Sequence, residues 1–363
     1  MPLKTTAGNH GEAAKGRGAT INIEGRFEEW HRDAADDGWF QDPGDEPARP
    51  KTVITIEHAK SVISRHNSPD VGFSQSINPY RGCAHGCVWC FARPSHAYIG
   101  LSPGIDFETR LTVKENAAER LREELAKPGY KCETLTVGIN TDSYQPIERK
   151  YKVTRSILEL LSETHHPVSV ITKSALIERD LDLLVPMAKQ NLVSVAFSVT
   201  TLDHEISRRM EPRTSAPARR IEAIRRLSAA GIPVSVMVAP VVPFLTDSEL
   251  ESILEAAAKA GAQSAGYALL RLPWEVKPIF KEWLEKHFPL KAEHVMSRVR
   301  EMRDGKENDY EWHRRMVGTG PFAELLALRF KKAIQRFGLD KPWSELDTTL
   351  FIPPSKHGQG SLF

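Results

Sequence analysis

Short apolar runs alternate with amphipathic stretches along the chain from about residue 74 onward. Runs such as VSVAFSV and VSVMVAPVV are continuously apolar, which is typical of parallel strands that are covered on both faces. We predict six strands, at residues 74–78, 134–140, 168–172, 193–200, 234–242 and 265–272. The stretches between them predict helices at residues 113–125, 154–163, 176–189, 217–230 and 247–260.

Six strands separated mostly by helices indicate parallel βαβ units and an α/β fold. The pattern favours a partial (β/α)6 barrel at residues 74–275, although by itself it leaves a doubly wound sheet open. In such barrels the reacting groups lie at the C-terminal ends of the strands. The other segments are interpreted as a flexible N-terminal arm (1–50), a lead-in (51–73), a C-terminal helical extension (276–340) and a tail (341–363).

The composition is that of a globular protein, since 40% of the 363 residues are hydrophobic and 26% are charged. The formal net charge of +2 is close to balance, so the chain as a whole carries no field that attracts nucleic acid. No apolar run approaches the ~20 residues that a membrane helix needs, and the first residues are polar and rich in glycine. We therefore expect a cytoplasmic protein that does not associate with membranes.

Three of the four cysteines, Cys83, Cys87 and Cys90, lie in one loop, PYRGCAHGCVWCFARP, just after the first predicted strand. This spacing is too tight for a disulfide framework, and clustered cysteines in a reducing compartment are more often metal ligands. Three thiolates can ligate three irons of a 4Fe–4S cubane and leave the fourth iron open for reaction. The alternative is a structural zinc site completed by His85 or His96, in a binding protein without catalysis.

The Cys-x3-Cys-x2-Cys spacing, with an aromatic residue directly before the last cysteine, resembles the signature of the radical SAM superfamily. The resemblance implies a radical SAM barrel with two cofactors, a 4Fe–4S cluster on the three cysteines and S-adenosyl-L-methionine on its open iron. In that family the amino and carboxylate groups of S-adenosylmethionine chelate the open iron, and an electron from the cluster yields a 5′-deoxyadenosyl radical. Trp89 occupies the aromatic position whose backbone contacts adenine. Cys132, interpreted as a small buried hydrophobic residue, cannot alone hold a second cluster, so the electron is expected from an external donor.

Polar residues stand where three of the predicted strands end. If S-adenosylmethionine lies over the barrel mouth, Asp142 can accept protons from its ammonium group and Lys173 can pair with its carboxylate. The other candidates for contacts with this cofactor are Asn140, Thr141, Ser198 and Thr200. Each of these residues alone is equally well explained as a solvated loop residue or a helix N-cap, so it is their recurrence at successive strand ends that favours a site.

Five segments narrow the resemblance to spore photoproduct lyase-like proteins over roughly residues 74–275: TDSYQPIE, the Lys-Ser after the third strand, FSVTT, EPRT and APVVPFLTD. That branch commonly has glycine where this chain has Phe244, so we expect a local difference in the turn after the fifth strand. Spore photoproduct lyase carries a cysteine, its hydrogen-atom donor, just before its equivalent of Asn140. Ile139 stands there in this chain, and because its side chain does not readily donate a hydrogen atom, we do not expect the true lyase reaction.

Seven arginines lie between residues 208 and 226, in a segment that begins near the predicted barrel mouth. A phosphate-rich substrate would benefit from their charge. The alternative is a solvated helix face that Glu205, Glu211 and Glu222 partly neutralise. A second group of basic and aromatic residues, in which an aromatic ring beside a cation can stack a base, lies at Trp312, His313, Arg314 and Arg315.

Residues 359–363, QGSLF, resemble the short Gln-x-x-Leu-Phe peptide by which bacterial repair and replication proteins bind the DNA sliding clamp. Leu362 and Phe363 would anchor in an apolar pocket while Gln359 fixes the register, and Gly360 replaces the usual leucine, which should weaken binding. The leading hypothesis is therefore a radical SAM enzyme that repairs or modifies DNA. The alternatives are a radical SAM enzyme that acts on a small molecule, RNA or protein, and a zinc-stabilised binding protein.

Overall fold

The computed structural model describes residues 16–28, 50–343 and 345–355 of the chain. The strands are, in chain order, β1 (Val53–Glu57), β2 (Ile63–Arg65), β3 (Gln75–Ile77), β4 (Tyr80–Arg81), β5 (Arg110–Lys114), β6 (Leu135–Val137), β7 (Val168–Thr172), β8 (Val193–Ser198), β9 (Val234–Val241) and β10 (Ser264–Leu269). The helices are α1 (Asp106–Thr109), α2 (Ala117–Leu125), α3 (Glu148–Tyr151), α4 (Val153–Glu163), α5 (Leu181–Lys189), α6 (His204–Met210), α7 (Pro217–Ala229), α8 (Leu250–Lys259), α9 (Val276–His287), α10 (Pro289–Glu301) and α11 (Pro321–Phe337). Short 3₁₀ helices lie at Arg93–Ile99, Ala175–Asp180 and Asp247–Glu249.

Six parallel strands form the centre of the fold, in the order β10-β9-β8-β7-β6-β3. Each of them overlaps one of the six predicted segments. Helices α4, α5, α7 and α8 connect successive strands of the series, and the short antiparallel strand β2 extends the sheet beyond β3. This order confirms the predicted partial (β/α)6 barrel.

Each connecting helix buries one face against the sheet. In α4, Ile157, Leu158 and Leu161 are fully buried, at the spacing that places them on one side of a helix. They share an apolar cluster with Val168 and Val170 of β7. Burial of each such side chain contributes roughly 1.5–3 kcal/mol. The helices therefore hold the strands, and with them the strand ends, in fixed positions.

A second, three-stranded sheet has the order β1-β5-β4 and is not predicted from the sequence. Its strand β5 occupies residues 110–114, so the predicted helix at 113–125 is wrong at its start and begins at Ala117. Leu111 and Val113 are buried while their neighbours are more exposed, which is the alternation of a strand. The Asn116 side chain accepts a hydrogen bond from the Ala59 N–H (2.8 Å) between the strand and the helix.

Residues 16–28, assigned above to a flexible arm, lie against the barrel. The backbone N–H groups of Gly18 and Ala19 donate to the buried carboxylate of Glu108 (3.0 and 2.8 Å). Further along, Arg26 Nε donates to the buried carboxylate of Glu275 (2.8 Å). Buried carboxylates require donors, and this segment supplies them. Residues 1–15 and 29–49 of the predicted arm lie outside the described residues.

Helices α9, α10 and α11 follow the barrel. The Phe330 ring of α11 lies 4.6 Å from the Tyr267 ring of β10 (centroid to centroid). Residues 345–355 of the predicted tail return to the barrel, where Phe351 contacts the rings of Tyr130 and His166. None of the helices in the described part of the chain is long and apolar enough to cross a bilayer.

Candidate active site

Cys83, Cys87 and Cys90 lie in the loop after β4, and Cys83 and Cys87 are buried. The loop contains tight turns, in which the Gly86 N–H donates to the Cys83 carbonyl and the Cys90 N–H donates to the Cys87 carbonyl (both 3.3 Å). The Cys83 N–H donates to the more distant Phe107 carbonyl (2.9 Å). Cys83 and Cys90 pack into one small apolar cluster with Ala92 and Phe107. One short loop therefore holds three thiols in the same neighbourhood.

Two glycines allow this loop to turn as it does. Gly82 and Gly86 have φ angles of +72° and +69°, which side chains rarely adopt. A Cβ at Gly82 would lie 2.8 Å from the Phe107 carbonyl oxygen, and one at Gly86 would lie 2.6 Å from a carboxylate oxygen of Glu108. Both positions therefore require glycine for steric as well as conformational reasons.

Arg93 packs against the cysteine loop and binds its backbone carbonyls, a role that the sequence alone does not reveal. This side chain is fully buried and donates to the carbonyls of Cys87 (2.9 Å) and Gly86 (3.3 Å). It also donates to the Gly104 carbonyl (2.8 Å) and forms a fully buried ion pair with Glu108. The same carboxylate receives the two N–H groups of the N-terminal segment. The Arg93–Glu108 ion pair thus connects the cysteine loop, residues 104–108 and the N-terminal segment at residues 18–19.

The loop after β6 supports the cysteines from another side. The buried Thr141 hydroxyl donates to the Gly82 carbonyl (2.7 Å). The Gln145 amide donates to the same carbonyl (3.2 Å) and accepts from the Ala84 N–H (2.8 Å). Asn140 is exposed, and its N–H donates to the Asn78 side chain (2.8 Å). Of these two predicted cofactor contacts, Thr141 is therefore engaged with the cysteine loop.

Asp142 lies at the centre of a buried network. Its carboxylate is 3.3 Å from His85 Nδ1 and accepts hydrogen bonds from the Thr172 hydroxyl and the Lys173 N–H (both 2.8 Å). Burial alone would raise the pKa of Asp142, but the charges of His85 and Lys173 and these hydrogen bonds hold it below its ordinary value. The carboxylate is therefore ionised at neutral pH, and the ends of β6 and β7 are joined to the cysteine loop.

Lys173 reaches the cysteine loop from the end of β7. Its Nζ lies 4.9 Å from the centroid of the Trp89 ring, within the range of a cation–π contact. Burial would lower the pKa of Lys173, but Cys87, Glu211 and Asp142 together raise it above its ordinary value. The structure therefore brings the predicted residues Trp89, Asp142 and Lys173 together, with the ammonium group charged.

The end of β8 carries an ion pair that the sequence analysis did not identify. Glu211 and Arg220 are both buried and paired, and the Thr200 hydroxyl donates to Glu211. Arg220 also donates to the Ser198 carbonyl (3.1 Å), and the Ser198 hydroxyl donates to the Ala239 carbonyl (3.1 Å). The predicted residues Ser198 and Thr200 thus lie at the barrel mouth, with their hydroxyls bonded within the protein. The EPRT segment by itself does not reveal this pair, because Arg220 lies nine positions after Glu211.

Most of the seven arginines at residues 208–226 are part of the protein's own ion pairs. Arg219 and Arg226 pair with Glu178, Arg225 pairs with Glu222, and Arg208 pairs with Glu205. For these four, the interpretation as a partly neutralised helix face agrees with the structure, whereas Arg220 is buried in its pair with Glu211 and is not part of a solvated face. They do not form an open basic patch.

Each histidine proposed for a zinc site is engaged through one of its ring nitrogens, while His96 Nδ1 has no hydrogen-bond partner among the described residues. His85 Nδ1 faces Asp142, and His96 Nε2 is bonded to the carbonyl of Arg110 (3.0 Å).

Phe244 stands where the spore photoproduct lyase-like branch commonly has glycine, and its φ is +60°. Phe244 therefore adopts the left-handed conformation that glycine adopts freely, at a cost of roughly 1–2 kcal/mol for another residue.

Comparisons with known proteins assign the class of this chain. The family model of the radical SAM superfamily matches residues 77–257, which include the cysteine loop. An uncharacterized protein of Mycobacterium tuberculosis is 40% identical over 246 residues, 67% of this chain and 71% of the relative. An uncharacterized protein of Methanocaldococcus jannaschii is 26% identical over 247 residues, 68% of this chain and 88% of the relative. The chain belongs to the radical SAM superfamily and is an enzyme.

Solved structures of spore photoproduct lyase share the fold. One mutant superposes with a TM-score of 0.57 at 16% identity, covering 83% of this chain and 86% of that chain. Another, with bound AdoMet and dinucleoside spore photoproduct, gives a TM-score of 0.57 at 15% identity, covering 83% and 85%. Radical SAM enzymes use a 4Fe–4S cluster and S-adenosylmethionine, so these are the cofactors of this class. The alternative of a zinc-stabilised binding protein is therefore wrong.

The residues of the loop fit such a pair of cofactors. Burial raises the pKa of the Cys87 and Cys90 thiols, so a thiolate at either position requires positive charge close by, which the irons of a cluster supply. Trp89 Nε1 is buried and has no hydrogen-bond partner among the described residues. A buried donor without a partner is costly, and a bound ligand with acceptor groups would satisfy it.

Proposed function

We propose that this radical SAM enzyme holds its cluster on Cys83, Cys87 and Cys90 and modifies or repairs DNA. When bound and reduced, the cofactors supply a 5′-deoxyadenosyl radical that removes a hydrogen atom from the substrate. The residues proposed to surround S-adenosylmethionine are Trp89, Asn140, Thr141, Asp142, Lys173, Ser198 and Thr200. The electron would come from an external donor, since the chain has a single cysteine outside the loop.

The proposal of a nucleic acid substrate rests on one observation, a group of exposed aromatic rings around the Arg26 guanidinium. Phe27, Tyr98, Trp274 and Tyr310 are 55, 69, 44 and 51% exposed and are called the aromatic patch below. The Arg26 guanidinium lies 4.1 Å from the Trp274 ring and 5.8 Å from the Tyr98 ring. Exposed aromatic rings are a surface on which unpaired bases stack. Because Arg26 is paired with the buried carboxylate of Glu275, the rings rather than a free positive charge support this proposal.

Two members of the aromatic patch belong to segments that directly follow elements of the candidate active site. Tyr98 belongs to the 3₁₀ helix that directly follows the cysteine loop. Trp274 follows β10, whose C-terminal end faces the barrel mouth, and the Tyr310 hydroxyl accepts a hydrogen bond from its N–H (3.3 Å). A strand bound on the patch would therefore lie close to the thiols. Base stacking contributes about 1–3 kcal/mol per base, which is enough to orient a flexible substrate.

The fold likeness to spore photoproduct lyase, solved with a dinucleoside spore photoproduct, also supports a nucleic acid substrate. The reaction itself is expected to differ. Ile139 precedes Asn140, and an alkyl side chain does not supply the readily transferred hydrogen atom of a thiol. We therefore do not propose that this enzyme reverses the spore photoproduct.

We expect the reconstituted, reduced enzyme to release more 5′-deoxyadenosine with single-stranded DNA than without it. Trp274→Ala and Tyr98→Ala should each weaken binding of a fluorescent oligonucleotide by about fivefold to a hundredfold, the loss of one stacked base. Trp343→Ala is the matched control, because Trp343 is 46% exposed and lies beside Gly266 of β10, away from the patch. Equal affinities for all of these proteins would refute the role of the patch. A preference for RNA, or no response to either nucleic acid, would refute the choice of DNA.

We also propose that Lys173 binds the carboxylate of S-adenosylmethionine. Lys173→Met should weaken S-adenosylmethionine binding by about tenfold to a hundredfold, the effect of losing a charge-assisted hydrogen bond, while iron content is retained. Calorimetry on the reconstituted protein measures the affinity, and Lys189→Met, on an exposed position of α5, is the control. Unchanged affinity in the Lys173 variant would show that the cofactor lies elsewhere.

Residues 359–363 lie outside the described residues, and their binding to the DNA sliding clamp is a proposal that rests on the QGSLF sequence. Clamp binding by the full chain, lost on truncation after Lys356, is the expected result. Equal binding, or none, by both proteins would remove this argument for DNA.

A further inference from the structure

Arg271 is a half-buried arginine that has no carboxylate partner among the described residues. It lies just after β10, and among the described residues its Nη1 has a hydrogen-bond contact with the sulfur of Met316 (3.7 Å) and with no other group. Its Nε is buried and has no hydrogen-bond partner in residues 16–28, 50–343 and 345–355. Removing a guanidinium from water costs free energy that a paired anion normally recovers. This side chain is therefore incompletely satisfied within the described part of the protein.

The surroundings of Arg271 are positive. Arg303, also buried, donates to the Leu270 carbonyl (2.6 Å), and Arg315 is paired with Asp70. Burial and these two arginines lower the pKa of Arg271 to about 10, although Asp70 and Tyr310 partly offset them. Because Asp70 is already bonded to Arg315, it does not neutralise Arg271. An anion brought to this position would gain from two neighbouring guanidinium groups as well.

Arg271 also faces the candidate active site. Its guanidinium lies 6.0 Å from the centroid of the Phe91 ring, and Phe91 is the residue after Cys90. Strands β10 and β3 are the two ends of the parallel series, and the cysteine loop follows β3 and β4. The contact between Arg271 and Phe91 therefore spans the open side of the partial barrel, where a substrate can approach the thiols.

We propose that Arg271 binds a phosphate group of the substrate and thereby positions the substrate beside the cluster loop. The proposal rests on the proposed nucleic acid function. A guanidinium presents a planar pair of N–H donors that matches phosphate oxygens, whereas an ammonium group acts as a point charge. Arg271 lies three positions before Trp274 of the aromatic patch. A base stacked on the patch and a phosphate on Arg271 can thus belong to one strand.

The test compares a short oligothymidylate with its methylphosphonate analogue, which keeps the bases but lacks the backbone charge. We expect the reconstituted, S-adenosylmethionine-bound wild type to prefer the charged form by about tenfold to a hundredfold, as for a charge-assisted contact. Arg271→Gln should lose most of that preference and Arg271→Lys should keep part of it. Arg225→Gln, which removes the same charge from an exposed residue of α7, should keep the full preference. Iron content and thermal unfolding establish that each variant is folded.

The outcomes separate this proposal from the proposed function. Binding of both oligonucleotides with an undiminished charge preference in Arg271→Gln would overturn the phosphate site and leave the nucleic acid proposal standing. No oligonucleotide binding by the wild type, together with pyrophosphate binding that Arg271→Gln abolishes, would overturn the nucleic acid proposal and keep the anion site. Absence of pyrophosphate and oligonucleotide binding in the wild type would overturn both.

Discussion

Replacing any one of Cys83, Cys87 and Cys90 by alanine should abolish reductive cleavage of S-adenosylmethionine. Each thiolate is proposed to hold one iron of the cluster, so the loss of any one of them removes a ligand that the cluster needs. Anaerobic reconstitution should give about four irons per wild-type chain and a small fraction of that in each variant. The broad absorption near ~400 nm and release of 5′-deoxyadenosine should disappear together.

Cys132→Ala is the matched control for this series. Cys132 precedes β6 and is half-buried, outside the cysteine loop, so its loss should leave iron content and cleavage unchanged. Full iron content and cleavage in any of the three loop variants would contradict the assignment. Loss of iron in the Cys132 variant as well would show that the assay reports general damage.

Arg93→Met should destabilise the fold around the cysteine loop more than any other single substitution of a charged residue considered above. It leaves the buried Glu108 carboxylate unpaired and removes donors from the carbonyls of Cys87, Gly86 and Gly104. Breaking a buried ion pair in this way costs about 3–5 kcal/mol. Urea unfolding measures the loss, and iron retained after desalting measures the integrity of the loop.

Arg81→Met is the control for that substitution. Arg81 lies at the start of the same loop, but its ion pair with Glu57 is exposed, and such pairs contribute about 0–1 kcal/mol. We expect near-normal unfolding and normal iron content. Similar losses in the Arg81 and Arg93 variants would contradict the role given to the buried pair.

The sequence predicts several of the central strands because they are largely apolar runs, as in β8 and β9, whereas β3 consists of the residues QSI. It does not predict the β1-β5-β4 sheet. Strand β4 has only two residues, too few to leave a pattern, whereas the β-branched residues of β1, VITIE, are a strand signal that could have been recognised. Residues 110–114 were assigned in part to the following helix because a short half-exposed strand and the first turn of a helix have similar compositions.

The same limit applies to the site. The cysteine spacing and the strand-end residues Asp142 and Lys173 are local signals, and the structure brings them together. The partners that hold them are distant in sequence, as Glu108 is from Gly18. Arg220 also looks identical in sequence to its exposed neighbours, although it is buried. Pairing and burial depend on tertiary contacts, which composition and spacing do not encode.

The central claim is that three cysteines hold a cluster whose remaining iron binds S-adenosylmethionine. Electron–nuclear double resonance on the reduced enzyme, with ¹⁵N in the methionyl amino group, tests it most directly. We predict a ¹⁵N hyperfine coupling in the wild type that is absent when unlabelled S-adenosylmethionine is used. A reduced, cluster-loaded enzyme that binds labelled S-adenosylmethionine without any such coupling would contradict the account.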